Sequence, residues 1–256
     1  MRILTVCEDS RDVTWGGHVM ITDPPYRAHV HEAATSQSIE GGARHRDLGF
    51  DHLTEELRLW TCALASKVER WSVIFSDVES VGLWKSGLEQ CGATYIRAIP
   101  WVRWSMPQLS GDRPPQGHEM IVVAYGQGKG RKHWNGPGNL THFAHTALRG
   151  EGKHKCEKPL DLMLDLADWF SDPGELVIDP FMGSGTTGVA CDLLRRNFHG
   201  CEQDAEWHRK AESRLLSPLS ERDRERAARW LARAKEVDAE KERLAKHTAK
   251  VRAKAT

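Results

Sequence analysis

Residues 175–204 read ELVIDPFMGSGTTGVACDLLRRNFHGCEQD, and the fold is decided here. Glu175–Asp179 reads as a short buried strand. Asp179-Pro180-Phe181-Met182-Gly183-Ser184-Gly185-Thr186-Thr187-Gly188 then makes a Gly-rich turn into a helix around Thr187–Arg196. Asn197–Glu202 is a second strand, and Asp204 can cap a helix that ends near Leu216. Glycines in such a turn let the backbone approach a ligand closely, while the helix start offers free N–H groups. A plain βα turn would share these features. A phosphate-binding loop would need a Gly-Lys-Ser/Thr run, and none follows. Glu202, closing the second strand, suits a ribose diol, so a nucleoside without a recognised polyphosphate fits this unit best.

The same alternation of short apolar runs and helical patterns fills residues 1–216, without an internal repeat. Ile3–Cys7 and His18–Thr22 read as strands, and residues 27–50 as a polar loop. Asp51 can cap a helix in which Leu53, Leu57, Trp60, Leu64 and Val68 recur at spacings of three and four. Trp71–Ser76 is a strand, and Val81, Trp84, Leu88 and Cys91 mark the next helix. Thr94–Trp104 and His118–Tyr125 have no helix between them, which predicts an antiparallel hairpin. Residues 126–152 hold seven glycines and show no periodicity. Pro159 suits the first turn of a helix running to about Phe170. The pattern predicts an α/β fold: a mostly parallel sheet with helices on both faces, binding its ligand at the carboxyl ends of the strands.

Asp23-Pro24-Pro25-Tyr26 falls at one such strand end. Two prolines fix an extended turn and remove backbone donors, leaving carbonyls that only accept. A carboxylate, a carbonyl and an aromatic face are thereby held together. That set suits an NH2 group on a planar ring, with two acceptors for its hydrogens and a ring to stack on. For an isolated occurrence, a Pro-Pro turn with a buried tyrosine would be the ordinary explanation.

Charge is unevenly spread. The 36 Lys and Arg balance 36 Asp and Glu overall. Residues 217–256 nevertheless carry 12 basic against 7 acidic residues, and 103–155 carry 8 against 3. Two basic segments on an otherwise acidic body are what a phosphate footprint looks like, although most charge runs are simply solvated. Six scattered cysteines without a Cys-x-x-Cys pair suggest neither disulfides nor a zinc ribbon, and a cytoplasmic location is expected. No apolar run reaches the roughly 20 residues of a membrane span. His142, His145, His154 and Cys156 match no usual zinc spacing, so no metal is expected.

Together, Asp23–Tyr26 and Asp179–Gly188 resemble the catalytic and cofactor motifs of S-adenosylmethionine-dependent amino-methyltransferases of DNA. Their order, with the cofactor motif about 150 residues after the catalytic one, resembles the circularly permuted β class of bacteria and phages. His154-x-x-x-Lys158-Pro159 resembles the segment beside the methionine end of the cofactor. Trp101–Gln127, with His118-Glu119, resembles the family's hairpin, and Glu8-Asp9 falls where the family places an acid near the cofactor's adenine. The resemblance covers roughly residues 2–216. It departs from the family in an abrupt first strand, a short recognition segment and the added 217–256 helix.

The resemblance implies a Rossmann-like class I methyltransferase sheet over residues 1–216, with 126–155 as a target-recognition insert, and the charge pattern makes 217–256 a basic helical extension beyond it. It implies a catalytic set of Asp23, Pro24, Pro25 and Tyr26. Asp9, Lys158, Asp179, Pro180, Phe181, Gly183, Ser184, Gly185, Thr186, Thr187 and Glu202 would hold S-adenosylmethionine, with Lys158 on the methionine carboxylate. Arg103, Lys129, Arg131, Lys132 and Trp134 would contact double-stranded DNA, from which the target base is flipped out. Asp rather than Ser at position 23 favours adenine N6 over cytosine N4 as the target. A catalytically degenerate DNA-binding paralogue and an RNA substrate are the weaker alternatives. A homodimer and a restriction–modification setting are compatible with this reading.

Overall fold

The computed structural model describes residues 2–26, 36–37, 44–45, 52–104, 117–128, 132–138, 140–146 and 157–236. Two compact units divide the chain, Met1–Ser217 and Pro218–Thr256. In chain order, the first unit contains β1 (Ile3–Val6), β2 (Val19–Thr22), β3 (Ser36–Gln37), β4 (Arg44–His45), α1 (Glu55–Lys67) and β5 (Trp71–Ser76). There follow α2 (Val81–Gln90), β6 (Thr94–Trp104), β7 (His118–Tyr125), β8 (Phe143–Thr146) and α3 (Leu160–Phe170). β9 (Leu176–Asp179), α4 (Thr186–Leu193), β10 (Asn197–Cys201) and α5 (Ala205–Leu216) complete it.

Among the described residues, eight strands form one sheet in the order β1-β10-β9-β2-β5-β7-β6-β8. The first five are mutually parallel, and β7 lies antiparallel to both β5 and β6. Residues alternate between the faces of a strand, so a sheet covered on both faces is apolar at every position. β2 and β5 are buried throughout. Met20, Ile74, Val122, Ala124 and Ile178 join Leu64, Ala65, Trp84 and Leu88 of α1 and α2 in one cluster. Ile21, Val73, Phe75, Val123 and Val177 lie between those positions and are buried too.

The predicted hairpin, Thr94–Trp104 with His118–Tyr125, forms with the expected bounds. Three local readings need correcting. Thr54 rather than Asp51 caps α1, accepting from Leu57 N at 3.1 Å, and Asp51 lies outside the described residues. Part of the 27–50 stretch forms the short β3–β4 ladder. Phe143–Thr146 adds β8 parallel to β6, where the sequence shows no periodicity. Four residues are too few to show an alternation.

β2 and β9 are parallel neighbours whose connections lead to opposite sides, β9 through α4 to β10 and β2 through α1 to β5. This is the switch point at which open α/β sheets bind ligands. The antiparallel β7 runs the other way. Its end, Tyr125, pairs with Trp71 at the start of β5, so the residues that follow begin at the amino edge of the parallel strands. There Trp134 packs edge-on to Phe170, Trp71 and Trp169, at ring distances of 4.9, 6.3 and 6.3 Å. Asn135 donates to the carbonyls of Asp168 and Ser171 and to the Asp172 carboxylate. The Trp71 indole N–H and Arg70 both reach the His133 carbonyl.

In the second unit the helix is described over 221–236, and Ser220 Oγ caps it by accepting from Asp223 N at 3.1 Å.

Trp134→Ala removes the ring that joins α3 to the start of β5, so unfolding in urea should show a loss of about 3 kcal/mol. A change near zero would mean that the ring carries none of this packing.

Candidate active site

Asp179 ends β9, and its buried carboxylate ties the two motifs together. Oδ1 accepts from Thr22 Oγ1 at the end of β2 (2.8 Å) and from Phe181 N (3.2 Å). Oδ2 accepts from Thr187 Oγ1 in the first turn of α4 (2.6 Å). Burial pushes this carboxyl up to about 7, against the pull of those hydrogen bonds.

The turn that follows is shaped by left-handed glycines. Gly183 and Gly185 have φ of 49° and 75°, and a Cβ on Gly185 would lie 3.2 Å from that of Ala211. Gly185 is also the N-cap of α4, with no side chain of its own to cover the first N–H groups. Glu202, one residue beyond β10, reaches back to the loop. Its Oε2 accepts from Gly183 N at 3.1 Å and its Oε1 from Asp204 N at 3.0 Å. Burial raises the Glu202 carboxyl. Pro180 is buried and Phe181 is half-buried, edge-on to Trp60 at 6.2 Å. Ser184 Oγ and Thr186 Oγ1 lie 3.2 Å apart. Asp9 stands in the turn after β1 in a bidentate pair with Arg11. A glycine cradle, a helix start and an inward-facing carboxylate make a donor and acceptor set that fits a nucleoside cofactor.

Asp23–Tyr26 leaves the end of β2, and the Tyr26 carbonyl is fixed by Leu53 N at 3.0 Å. Pro24 is buried and Pro25 half-buried. Asp23 Oδ2 lies 2.8 Å from Lys158 Nζ, whereas Oδ1 is buried and has no hydrogen-bond partner among the described residues. Lys158 Nζ also lies 3.2 Å from Glu119 Oε2. That same oxygen accepts from the Tyr26 hydroxyl, and Arg103 pairs with Glu119 Oε1 at 3.1 Å. Burial pushes the Asp23 carboxyl up, with Glu119 adding to the rise and Lys158 opposing it. Burial acts to raise Glu119 as well, but Lys158 and Arg103 outweigh it and hold this carboxyl below its usual range.

Both predicted motifs thus meet at the carboxyl edge of the sheet. Lys158 lies there too, but its ammonium is engaged by Asp23 and Glu119, whereas the resemblance assigned it to a methionine carboxylate. Arg103 sits beside Glu119 in the same network. Lys132 and Trp134 lie at the opposite edge: Lys132 Nζ stands over the Tyr125 ring at 5.1 Å, and Trp134 is half-buried against Phe170. Antiparallel β7 carries them there, a direction that composition alone does not encode. Lys129 and Arg131 lie outside the described residues.

Sequence reasoning passed over Glu119 as a site residue. A carboxylate within the apolar run HEMIVVAY must find partners once buried, and that was the available signal. Cys191 and Cys201, beside the cofactor motif, are buried thiols. Burial pushes Cys201 up to about 11 and Cys191 higher, so neither is a ready nucleophile. His145 is buried against Asp165 at 3.0 Å, and among the described residues no cluster could hold a metal ion. His154 and Cys156 lie outside those residues.

The profile of the DNA methylase family of N6/N4 methyltransferases matches residues 18–213. The chain belongs to this family. It is 46% identical over 57 residues to the Type II methyltransferase M2.MboI of Moraxella bovis, a match taking in 22% of this chain and 21% of that protein. Identity to the Type II methyltransferase M2.DpnII of Streptococcus pneumoniae is 27% over 225 residues, 77% of this chain and 81% of that one. The crystal structure of the M1.HpyAVI–SAM complex superimposes with a TM-score of 0.64 at 27% identity, covering 84% of this chain and 100% of that one. The cytosine-N4-specific PvuII DNA methyltransferase shares the fold, with a TM-score of 0.64 at 13% identity over 91% of this chain and 93% of that one. The fold is accordingly the class I Rossmann-like methyltransferase sheet, and the family's cofactor is S-adenosylmethionine.

The Asp179 proton yields a pH test. Burial pushes its folded carboxyl up to about 7 from an ordinary 3.8, so the folded state holds a proton that the unfolded chain has released between those values. The stability contributed by this group is complete below about pH 4 and is lost as pH rises through 7. Asp179→Asn should flatten this slope, costing less relative to wild type at pH 8 than at pH 5 in urea unfolding. Parallel pH profiles for the two proteins would mean that Asp179 is ionised throughout.

Proposed function

We propose that the chain is a DNA methyltransferase that methylates the exocyclic amino group of a base flipped out of double-stranded DNA, adenine N6 in preference to cytosine N4. The observation carrying this reading is Asp23 Oδ1, a buried acceptor with no partner among the described residues, at the end of a strand beside the cofactor loop. Such an atom is costly unless an N–H donor arrives. An amino group on a heteroaromatic ring is such a donor, and its lone pair, delocalised into the ring, needs help to become nucleophilic.

Asp23 accepts one N–H and the Pro24 carbonyl the other, drawing the nitrogen toward a tetrahedral geometry that frees the lone pair. Tyr26 stacks on the ring. When bound, S-adenosylmethionine supplies a methyl group on a sulfonium sulfur, whose C–S electron pair departs with the sulfur. As the new N–C bond forms, the nitrogen's proton passes to Asp23 directly or through water. Glu202 exchanges its backbone partner at Gly183 for the ribose hydroxyls, and Phe181, Gly183 and Gly185 shape the pocket. Asp at position 23, where cytosine enzymes of this kind often have Ser, supports adenine.

DNA is met at the carboxyl edge, where Asp23 and Arg103 lie and where β6 ends, β7 begins and β8 ends. This reading replaces Lys132 and Trp134 as contact residues. The basic helix of the second unit adds phosphate contacts without sequence information. No helix among the described residues is long and apolar enough to cross a membrane, which is compatible with the cytoplasmic setting proposed for the enzyme.

Expression in a methylation-free host, followed by modification-sensitive sequencing, should reveal N6-methyladenine at a short site. N4-methylcytosine would reverse the base assignment, and unmodified DNA would remove the activity. Asp23→Ala should abolish methylation, a loss of at least about 100-fold, while cofactor binding by calorimetry stays near wild type. Glu202→Ala should do the reverse at limiting cofactor, weakening binding first. Equal loss of cofactor affinity in both variants would remove Asp23 from the chemical step.

A further inference from the structure

We propose that Lys158 and Glu119 are positioning residues for methyl transfer, with Lys158 locking Oδ2 of Asp23 so that Oδ1 faces the substrate amino group, and Glu119 fixing both Lys158 and Tyr26. The proposal rests on the methyltransferase reading above and adds to it how the catalytic turn is kept in shape.

The Lys158 side chain is only 10% exposed. Its ammonium faces the rings of Phe75, Tyr26 and Trp101 at 4.8, 5.5 and 5.8 Å. Three aromatic faces attract the charge without accepting conventional hydrogen bonds from its donors. Those donors therefore turn to the oxygens within reach, Asp23 Oδ2 at 2.8 Å and Glu119 Oε2 at 3.2 Å. A carboxylate held at one oxygen cannot rotate freely about its Cβ–Cγ bond. The other oxygen of Asp23, buried and unpartnered, thus has a fixed direction.

Glu119 is well placed to anchor the arrangement. It sits on β7 opposite Trp101 of β6, with its backbone set by the ladder. Its Oε1 is taken by Arg103, and its Oε2 receives both Lys158 and the Tyr26 hydroxyl. The proton acceptor and the stacking ring, three residues apart on a turn, are therefore joined through one ammonium and one carboxylate. Among the described residues, the charges in contact here are Asp23, Glu119, Lys158 and Arg103, two of each sign. Tyr26 and Asp179 are the further titratable groups that act on Asp23 or are acted on by it.

A network serving only stability would lower the melting temperature and impair cofactor binding and turnover together. A positioning network separates them. Glu119→Gln keeps the shape of the side chain and Lys158→Met keeps most of its length. Both variants, with wild type, would be measured for S-adenosylmethionine affinity by calorimetry, for kcat and KM on methylatable duplex DNA, and for the acid limb of kcat against pH. We expect near-wild-type cofactor affinity in both and kcat reduced about 100-fold, the scale of a misplaced reacting group. Removing the ammonium raises the Asp23 carboxyl, so the acid limb in Lys158→Met should move up by about one unit or more. Lys158→Arg, which keeps the charge, should return the limb toward wild type.

An unmoved limb in folded Lys158→Met, a cofactor affinity that falls in step with kcat, or unaltered turnover would each overturn the proposal while wild type remains active. Should Lys158→Met fail to fold, Glu119→Gln still gives the split between kcat and affinity. A wild-type protein that methylates no DNA overturns the activity itself, and the positioning role with it.

Discussion

The site depends on one buried carboxylate. Asp179 holds the end of β2 through Thr22 and the start of α4 through Thr187, and so sets the distance between the Asp23–Tyr26 turn and the glycine loop. Main-chain pairing between β2 and β9 is short, Val19 with Val177 and Met20 with Ile178. Beyond those pairs the strands diverge toward their separate crossovers, and the switch point opens. A hydroxyl–carboxylate–hydroxyl bridge across that opening keeps the two loops in register without filling the space a ligand needs. The carboxyl's upward displacement to about 7 follows from placing it there without a cation.

A short distance away the opposite solution is used. Asp23 and Glu119 are half-buried with Lys158 and Arg103, so among the described residues the partly desolvated charges are matched in number and sign. Buried ion pairs contribute little net stability against apolar substitutes, because desolvation offsets their attraction. Their value in this protein is directional. They leave one acceptor atom open while every other oxygen of the two carboxylates is engaged.

Much of this was legible in the sequence, and the reason is local. Glu175–Asp179, the glycine turn and Asn197–Cys201 form a βαβ unit whose pieces are contiguous, so periodicity and turn chemistry suffice to find it. The hairpin was legible because two long apolar runs had no helical pattern between them. What escaped detection is non-local. Glu119 becomes a site residue only once β7 is laid beside β5 and β6 and Lys158 arrives from the start of α3. Trp134 looked like a base-stacking residue among glycines and lysines, but the reversed direction of β7 carries it to the far edge, where Phe170 and Trp71 receive it. Composition indicates which residues can stack, and topology decides against what.

The Gly183–Gly185 loop and Lys158 are also joined mechanically. Arg214, in the last turn of α5, places one guanidinium nitrogen 3.2 Å from the Ser184 carbonyl, 3.0 Å from Thr186 Oγ1 and 3.2 Å from Glu157 Oε1. Glu157 directly precedes Lys158, so the lysine paired with Asp23 is attached through its neighbour to the glycine loop. Asp179 makes the same connection from the other side, between Thr187 and the strand that ends at Asp23. Two independent ties, one ionic and one through hydroxyls, thus link the two loops that the proposed reaction would bring together. In-line transfer depends on the relative placement of two reactants to within a fraction of an ångström, and rigid links from both sides are the means the fold has to hold it.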